Sequence, residues 1–274
     1  MNQLQSNMNE TICTACGTKY PANKPLPEFC TICIDDRQYI PESGQGWTDA
    51  ATLGREHTVK ITEISESLFE LIVKPKFAIG QRAFLVVSSG GNILWDCIPM
   101  LTPEVVEFIR SKGGLKVIVF SHPHYYSNMN DWADEFRCPV YIHGKDLEWI
   151  MNKGKHIELW SGYEKEFWDY IRVINIGGHF PGSCVLHVPA LSPKGTLFVG
   201  DSLYIAPGKR HVAVMHSYPN QILLPKQEFL SVYNKTKNLE FDSMYGAFEG
   251  QALTGNAREI FQASMQRYVD SYGR

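Results

Sequence analysis

The stretch Val117-Ile-Val-Phe-Ser-His122-Pro-His124-Tyr-Tyr-Ser127 joins a short apolar run to two histidines that are separated by one residue. The β-branched run is typical of a buried strand. Imidazoles at positions i and i+2 of extended or loop backbone project to the same side of the chain, so both can reach one metal ion. A lone His-x-His pair also occurs in ordinary surface loops. The surrounding sequence therefore has to supply the remaining ligands.

Two further segments repeat this pattern of a strand followed by a polar loop. Arg172-Val-Ile-Asn-Ile176 leads into Gly177-Gly-His179, and Gly195-Thr-Leu-Phe-Val199 leads into Gly200-Asp201-Ser202. In layered α/β proteins the loops at strand ends converge, and loops on a rigid sheet carry the chemistry. We therefore expect the three loops to meet at one metal site.

The rest of the main body reads as strands and helices around this site. β-branched and aromatic residues predict strands at residues 57–64, 68–73 and 83–88. Ser88-Ser-Gly-Gly-Asn92 predicts a hairpin turn rather than a phosphate loop, because no helix with a lysine follows it. Thr102 is the predicted N-cap of a helix that ends before Gly113, and apolar spacing predicts a terminal helix over 256–272.

Four of the seven cysteines lie in the first 33 residues, as two Cys-x-x-Cys pairs separated by thirteen residues: Cys13, Cys16, Cys30 and Cys33. Such pairs close a tetrahedral shell of four thiolates that leaves no position for a substrate, so we predict a structural zinc ion. An odd cysteine count with two clustered pairs also favours reduced, metal-binding thiols over a disulfide framework. The metal would hold together a segment too short to form its own core.

The length of 274 residues suits one large domain with an appendage. We predict a ribbon and linker over 1–47, with the turn-forming 41–47 as the linker, and a main domain over 48–274. A net charge of −3 gives no signal for nucleic acid or an anionic membrane. The chain has no apolar stretch long enough to cross a bilayer, and its first residues lack a signal-peptide pattern, so the expected location is the cytoplasm.

The main body resembles the metallo-β-lactamase superfamily over roughly residues 55 to 270. The resemblance is based on His122-Pro-His124, Gly178-His179 and Gly200-Asp201-Ser202, in their usual order and approximate spacing. It implies an α/β fold, the four-layer αβ/βα sandwich, preceded here by a four-cysteine segment that resembles a zinc ribbon. It also implies that His122, His124 and His179 bind one metal, and that Asp201 is the carboxylate that bridges two metals in binuclear members.

The chain departs from the family pattern at the second metal. The first motif usually runs His-x-His-x-Asp-His, but Tyr126 and Ser127 occupy its last two places, and residues 241–251 contain no histidine. We therefore expect one divalent ion in the pocket, with zinc favoured and iron as the alternative. Asp201 and Tyr126 are the predicted catalytic residues, with Tyr125 as an alternative donor to an oxyanion. Candidates for a replacement ligand are Glu249, His211 and His216.

Three functions fit these observations. The first is a metal-dependent hydrolase that acts on a small ester, thioester, lactone or amide. The second is oxygen chemistry at a single iron, with His122, His179 and Asp201 as ligands, on the resemblance to persulfide dioxygenases. The third is a binding protein with a vestigial site, in which the ribbon recruits a partner. A homodimer or a protein partner held through the ribbon is compatible with each of them.

Overall fold

A computed structural model describes residues 10–273. The expectation about a signal peptide falls on residues 1–9 and so lies outside the described part. The described part begins with a three-stranded antiparallel sheet in the order β2-β1-β3, formed by β1 (Thr11–Cys13), β2 (Lys19–Tyr20) and β3 (Trp47–Thr48). The four predicted zinc ligands are buried beside this sheet in a small cluster of their own. Residues 10–48 are called the ribbon below.

The next part of the chain forms a seven-stranded sheet in the order β10-β9-β8-β7-β6-β5-β4. Its elements are α1 (Ala50–Glu56), β4 (Thr58–Ser65), β5 (Leu68–Lys74), β6 (Arg82–Val86), β7 (Ile93–Trp95), α2 (Pro103–Ser111), β8 (Val117–Val119), α3 (Met129–Phe136), β9 (Val140–His143) and β10 (Ile157–Trp160). Short 3₁₀ turns cover Pro123–Tyr125 and Gly144–Trp149. Pairing is antiparallel from β4 to β7 and parallel from β7 to β10.

The last part forms a six-stranded sheet in the order β11-β12-β13-β14-β19-β20. Its elements are β11 (Glu164–Glu166), β12 (Arg172–Asn175), β13 (Cys184–Val188), the 3₁₀ turn Pro189–Leu191, β14 (Thr196–Gly200), β15 (Tyr204–Ile205), β16 (Val212–Ala213), β17 (Met215–Ser217), β18 (Ile222–Leu223), α4 (Lys226–Thr236), β19 (Ser243–Gly246), β20 (Ala252–Leu253) and α5 (Ala257–Tyr272). The pairs β15–β16 and β17–β18 form two small separate sheets.

The two large sheets pack face to face, with helices on their outer faces. Along β6, Phe84 joins the cluster between the sheets, whereas Leu85 joins the cluster that includes α2 and α3. Along β14, Phe198 packs between the sheets and Leu197 packs with α4 and α5. This alternation follows from the two-residue period of a strand. The predicted four-layer αβ/βα sandwich is confirmed.

Most predicted elements are confirmed within one or two residues. The 88–92 turn joins β6 to β7, and Phe84 lies opposite Trp95 in the hairpin. The Thr102 hydroxyl caps α2 by accepting a hydrogen bond from the Val105 N–H at 3.4 Å. The terminal helix is α5. Within residues 10–273, none of the helices combines the length and the apolar character that crossing a membrane requires.

Candidate metal centre

The four predicted pocket ligands lie together where strands of the two sheets end. His122 and His124 follow β8 at the 3₁₀ turn, His179 lies in the loop between β12 and β13, and Asp201 follows β14 directly. One ligand atom from each of the four side chains lies within 4.8 Å of the other three. All four residues are at most 5% exposed. Residues from distant parts of the chain thus form one buried group, which is called the pocket group below.

The distances within the pocket group define a common centre. Asp201 Oδ1 lies 2.9 Å from His122 Nε2 and 3.6 Å from His179 Nε2. His124 Nδ1 lies 3.4 Å from His179 Nε2 and 3.9 Å from Asp201 Oδ2. The atoms that converge are therefore Nε2 of His122 and His179, Nδ1 of His124 and the Asp201 carboxylate.

Neighbouring groups hold two of the imidazoles in the orientation that a metal requires. His179 Nδ1 donates a hydrogen bond to the His216 carbonyl at 2.7 Å, which leaves the lone pair on Nε2. The Ser121 N–H and hydroxyl both reach the Asp96 carboxyl, at 2.7 and 2.9 Å. The Ser121 hydroxyl also lies 2.9 Å from His122 Nδ1, so it bridges this ring nitrogen to the buried Asp96 carboxyl and fixes the ring with Nε2 towards Asp201.

Burial and charge keep the four residues in their ligand forms. Burial lowers the pKa of His179 to about 4, and it also lowers the pKa values of His122 and His124. Burial alone would raise the pKa of Asp201, but the adjacent imidazole rings of His122 and His179 outweigh this effect and hold the pKa well below its usual range. Neutral imidazoles beside a carboxylate are the species that bind a divalent metal.

These residues fit one divalent ion. His122 Nε2 and Asp201 Oδ1 are buried and have no hydrogen-bond partner among residues 10–273, although burying unpaired polar atoms is costly. Three nitrogen donors and one carboxylate are a ligand set that zinc accepts in tetrahedral sites. A cation at the shared centre would compensate both unpaired atoms.

The two candidate tyrosines differ in their surroundings. The Tyr126 ring packs against Phe120 with ring centroids 5.1 Å apart. The Tyr125 ring lies 4.5 Å from the His122 ring, and its buried hydroxyl has no hydrogen-bond partner in the described part of the chain. Burial, and then the charge of Asp201, raise the pKa of Tyr125 well above its usual value. Tyr125 is therefore the neutral hydroxyl beside the ligands.

The three candidates for a replacement ligand lie elsewhere or contribute only backbone. Glu249 is an exposed residue paired with Lys74 at 2.6 Å. His211 lines a separate cavity beside α5. His216 supports His179 through its carbonyl, while its ring Nε2 lies 2.8 Å from Asp36 of the ribbon.

Sequence reasoning missed the groups that support the ligands. Asp96 follows β7 directly, so the same pattern of a strand followed by a polar residue would have found it. Ser121 lies inside the quoted histidine stretch. The His216 carbonyl leaves no trace in the sequence, because every residue type carries the same backbone oxygen.

The four cysteines of the ribbon, called the ribbon group below, have the spacing of a tetrahedral zinc site. The Cys13 and Cys33 sulfurs are 3.7 Å apart, and those of Cys16 and Cys30 are 3.6 Å apart. Zn–S bonds of about 2.3 Å in a tetrahedron place the sulfurs roughly 3.8 Å apart. All four cysteines are free and buried.

Two side chains support the sulfurs of the ribbon group. Gln45 Nε2 donates to Cys13 Sγ at 3.2 Å, and the Tyr20 hydroxyl donates to Cys30 Sγ at 3.3 Å. Donors aimed at sulfur stabilise thiolates, which are the metal-binding form. The four cysteines thus fit the predicted structural ion.

A cavity of about 290 Å³ opens onto His179 and Asp201. The main body contributes Tyr218 and Phe248 to its walls. The ribbon contributes the opposite side through residues 14–15, 37–39 and 41. The ribbon that carries one candidate metal group therefore forms a wall of the cavity that opens onto the other.

The chain was compared with protein families and with individual proteins. No protein-family model matches the chain. YmaE, an uncharacterized protein of Bacillus subtilis (strain 168), is 37% identical over 261 residues, which cover 94% of this chain and 95% of that protein. The alignment covers a larger share of this chain than the main body makes up, so it includes residues of the ribbon.

Solved structures of metallo-β-lactamases have the same fold. DIM-1 is 15% identical with a TM-score of 0.56, and the match covers 77% of this chain and 97% of that one. FIM-1 from Pseudomonas aeruginosa, in its mono-zinc form, is 14% identical with a TM-score of 0.56, covering 78% of this chain and 96% of that one. The fold that the sequence motifs implied is confirmed.

Proposed function

Because the chain belongs to the same family as YmaE of Bacillus subtilis and has the metallo-β-lactamase fold, we propose that it is a metal-dependent hydrolase with one zinc ion in its pocket. The proposed substrates are small esters, thioesters, lactones or amides. The observation that carries the proposal is the buried convergence of His122, His124, His179 and Asp201, with unpaired ligand atoms at the ends of strands.

The residues of the chain have distinct roles in this proposal. A divalent ion in the pocket group would polarise a substrate carbonyl and lower the pKa of water. Asp201 offsets part of the positive charge of the site. The hydrogen bond to the His216 carbonyl fixes the His179 ring, and the pair of Ser121 and Asp96 fixes the His122 ring.

A tyrosine is proposed as the donor to the developing oxyanion. Of the two candidates, Tyr125 is favoured, because its unpaired hydroxyl lies beside the ligands and its raised pKa keeps it protonated. The catalytic role of Tyr126 stays a prediction. Comparing Tyr125→Phe with Tyr126→Phe tests both, since the substitution that removes the donor lowers kcat with little effect on metal content.

Ser127 stands where the family motif has a ligand of the second metal, and its surroundings favour a single ion in the pocket. Ser127 Oγ accepts a hydrogen bond from Gln81 Nε2 at 3.0 Å, so this side chain already has a partner. Within residues 10–273 the clusters able to hold a metal are the ribbon group and the pocket group. We therefore infer one ion in the ribbon and one in the pocket.

The test is metal analysis combined with hydrolysis assays. Protein purified aerobically and anaerobically is expected to contain two zinc ions per chain and to hydrolyse a panel of simple esters and thioesters. His122→Asn with His179→Asn should abolish turnover and remove one zinc. Iron with oxygen consumption would favour the oxygenase instead. Two zinc ions without turnover of any compound in the panel would count against a hydrolase.

We also infer a cytoplasmic location, because four cysteine ligands have to stay reduced and that compartment keeps thiols reduced. Fractionation of cells that produce the full chain tests this inference. Recovery of the protein from an oxidising compartment would contradict it.

A further inference from the structure

The ribbon is fixed onto the main body next to the pocket. The Lys19 ammonium contacts both carboxylate oxygens of Asp131 at 2.8 Å, and the Lys19 N–H donates to the Ser127 carbonyl at 3.2 Å. Lys19 is 6% exposed, whereas the Asp131 side chain is 35% exposed, so the ion pair lies at the edge of the interface between the ribbon and the main body. The contact joins β2 to the backbone just beyond the two histidines of the pocket.

A second attachment lies on the other side of the pocket. His216 Nε2 lies 2.8 Å from Asp36 Oδ1, and Asn220 Nδ2 donates to the carbonyls of Asp36 and Gln38 at 2.8 and 3.1 Å. His216 is the residue whose carbonyl holds His179. The segment after the fourth cysteine is therefore fixed from both flanks, and Arg37 lies between the two anchored residues.

Arg37 projects from this segment towards the pocket group. Its guanidinium lies over the Phe180 ring at 4.2 Å, and the Phe180 ring lies 4.9 to 5.5 Å from the rings of the three histidine ligands. The Phe180 ring therefore separates the guanidinium from the three histidine ligands.

The hydrogen-bonding capacity of Arg37 is mostly unused. Nη1 donates to Asp35 Oδ1 at 3.1 Å, whereas Nε is buried with no partner among the described residues. A guanidinium carries five N–H donors, and buried ones are normally satisfied. The Arg37 side chain is 15% exposed and lines the cavity above Asp201. Arg37 thus forms a largely buried ion pair with Asp35 through Nη1, and its side chain lines the cavity with further N–H groups that have no partner among the described residues.

The cavity favours an anion. Its described lining contains two cationic side chains, Arg37 and Lys76, and one carboxylate, Asp201. That carboxylate belongs to the pocket group, with Oδ1 at 2.9 and 3.6 Å from Nε2 of His122 and His179, so a metal ion held there would compensate its charge. A metal ion at the centre would add further positive charge. An anionic group on a substrate would meet the unpaired donors of Arg37 and lie next to the reacting carbonyl.

We propose that the ribbon supplies the substrate-recognition residue of this pocket, Arg37, which binds a carboxylate carried by the ester, thioester, lactone or amide substrate. The planar guanidinium matches a carboxylate with two parallel hydrogen bonds, which a lysine does not reproduce. This inference builds on the proposed hydrolase function. A zinc ion in the ribbon would then also affect substrate binding, because the fold around the four cysteines determines where Arg37 lies.

The first test measures binding without turnover. Glutarate offers one carboxylate to the metal and a second to Arg37, whereas monomethyl glutarate offers only one. Calorimetric titration of the zinc-loaded protein is expected to give a Kd about tenfold lower for glutarate, in the range of one charged hydrogen-bonded contact. In Arg37→Gln the two Kd values should be nearly equal, and Arg37→Lys should lie in between.

Arg55→Gln serves as a matched control, because Arg55 is an exposed arginine in α1, outside the cavity lining. It should keep the wild-type ratio. The proposal would be overturned if the wild type bound glutarate and monomethyl glutarate with equal Kd values. It would also be overturned if Arg37→Gln kept both zinc ions and the wild-type ratio of the two Kd values. Metal analysis of each variant separates loss of the anion contact from loss of the fold.

The second test uses turnover of two 4-nitrophenyl esters, one with an acetyl group and one with an acyl chain that ends in a carboxylate. The preference for the carboxylate ester, measured as the ratio of the two kcat/KM values, is expected to fall about tenfold in Arg37→Gln. Hydrolysis of both esters with no change in this ratio would remove the role of Arg37 and leave the hydrolase intact. No hydrolysis of either ester, together with the expected glutarate result, would remove the hydrolase and leave the carboxylate site.

Discussion

The two candidate metal groups of this protein are built in opposite ways. The ribbon group draws its four cysteines from residues 13–33, close along the chain, and four thiolates around one ion would leave no free position. The pocket group draws its three histidines and one aspartate from residues 122–201, on loops that follow strands of two different sheets. Both groups are buried, but only the second opens onto the cavity described above.

This difference indicates what each metal does for the protein. The ribbon buries few apolar residues of its own, so we expect its fold to depend on the proposed ion. The pocket ligands are held by two large sheets and by hydrogen bonds with the Ser121 hydroxyl and the His216 carbonyl, so the fold would position an ion there rather than depend on it. Removing ligands from the two groups should therefore produce different failures.

The largest effect is expected from Cys30→Ser. Structural zinc contributes about 10 kcal/mol or more to the folding of comparable small domains, so the ribbon should lose its ion and its order. We expect zinc to fall from two ions to one per chain and protease cleavage to appear within residues 11–48. Cys138→Ser, at a buried cysteine outside the ribbon, is the control. An ordered ribbon with two ions in Cys30→Ser would remove the proposed contrast.

His179→Asn tests the pocket in the same way. Asparagine can keep the hydrogen bond to the His216 carbonyl, which Nδ1 makes at 2.7 Å, but it removes the Nε2 ligand. We expect the loss of one zinc ion and a fall in esterase activity of about a thousandfold, or roughly 4 kcal/mol, with little change in circular dichroism. His156→Gln, at a histidine on the surface beside Asp134, is the control. A loss of folding would mean that the pocket also depends on its metal.

Substitutions of Asp146 test whether this buried carboxyl stabilises the loop that carries His179. Its carboxyl accepts a hydrogen bond from the Gly182 N–H at 2.6 Å, and burial raises its pKa from 3.8 to about 7. A raised folded-state pKa stabilises the protein fully below the unfolded pKa, and this contribution is lost as pH rises through about 7. Between pH 5 and pH 8 the wild type should lose about 2 kcal/mol of unfolding free energy relative to Asp146→Asn.

Urea unfolding of both proteins at the two pH values measures this difference. A fixed difference between the proteins at pH 5 and pH 8 would show that Asp146 is ionised throughout. Asp146→Ala leaves the Gly182 N–H without its partner, so it should also weaken zinc binding in the pocket while the ribbon keeps its ion.

The smallest effect is expected from Ser121→Ala. This change removes the hydroxyl between His122 Nδ1 and Asp96, which fixes the ring of one ligand among four. Loss of such a supporting group weakens metal binding by about tenfold or somewhat more. Competition with a chelator should show this change for the pocket ion and none for the ribbon ion, and Ser111→Ala on α2 gives the baseline. An unchanged pocket affinity would show that packing alone orients His122.

The sequence by itself determined the parts whose information is local. Cys-x-x-Cys and His-x-His place ligands together through spacings of three and two residues, and apolar β-branched runs predicted the strands that lead into the ligand loops. The motifs predicted which strand ends carry ligands, and their resemblance to a known family implied the sandwich. The lack of the usual second-site residues at Tyr126 and Ser127 was equally readable.

Only the tertiary structure decided how distant parts of the chain complete the pocket. Asp36 meets His216 across 180 positions, and the ribbon becomes a wall of the cavity through contacts that no spacing encodes. The oxygen that orients His179 belongs to the backbone, which looks the same at every residue. Arg37 reads in the sequence as one more charged residue after a cysteine. Its place over Phe180, with Nη1 paired to Asp35 and Nε unpaired, exists only in the folded chain.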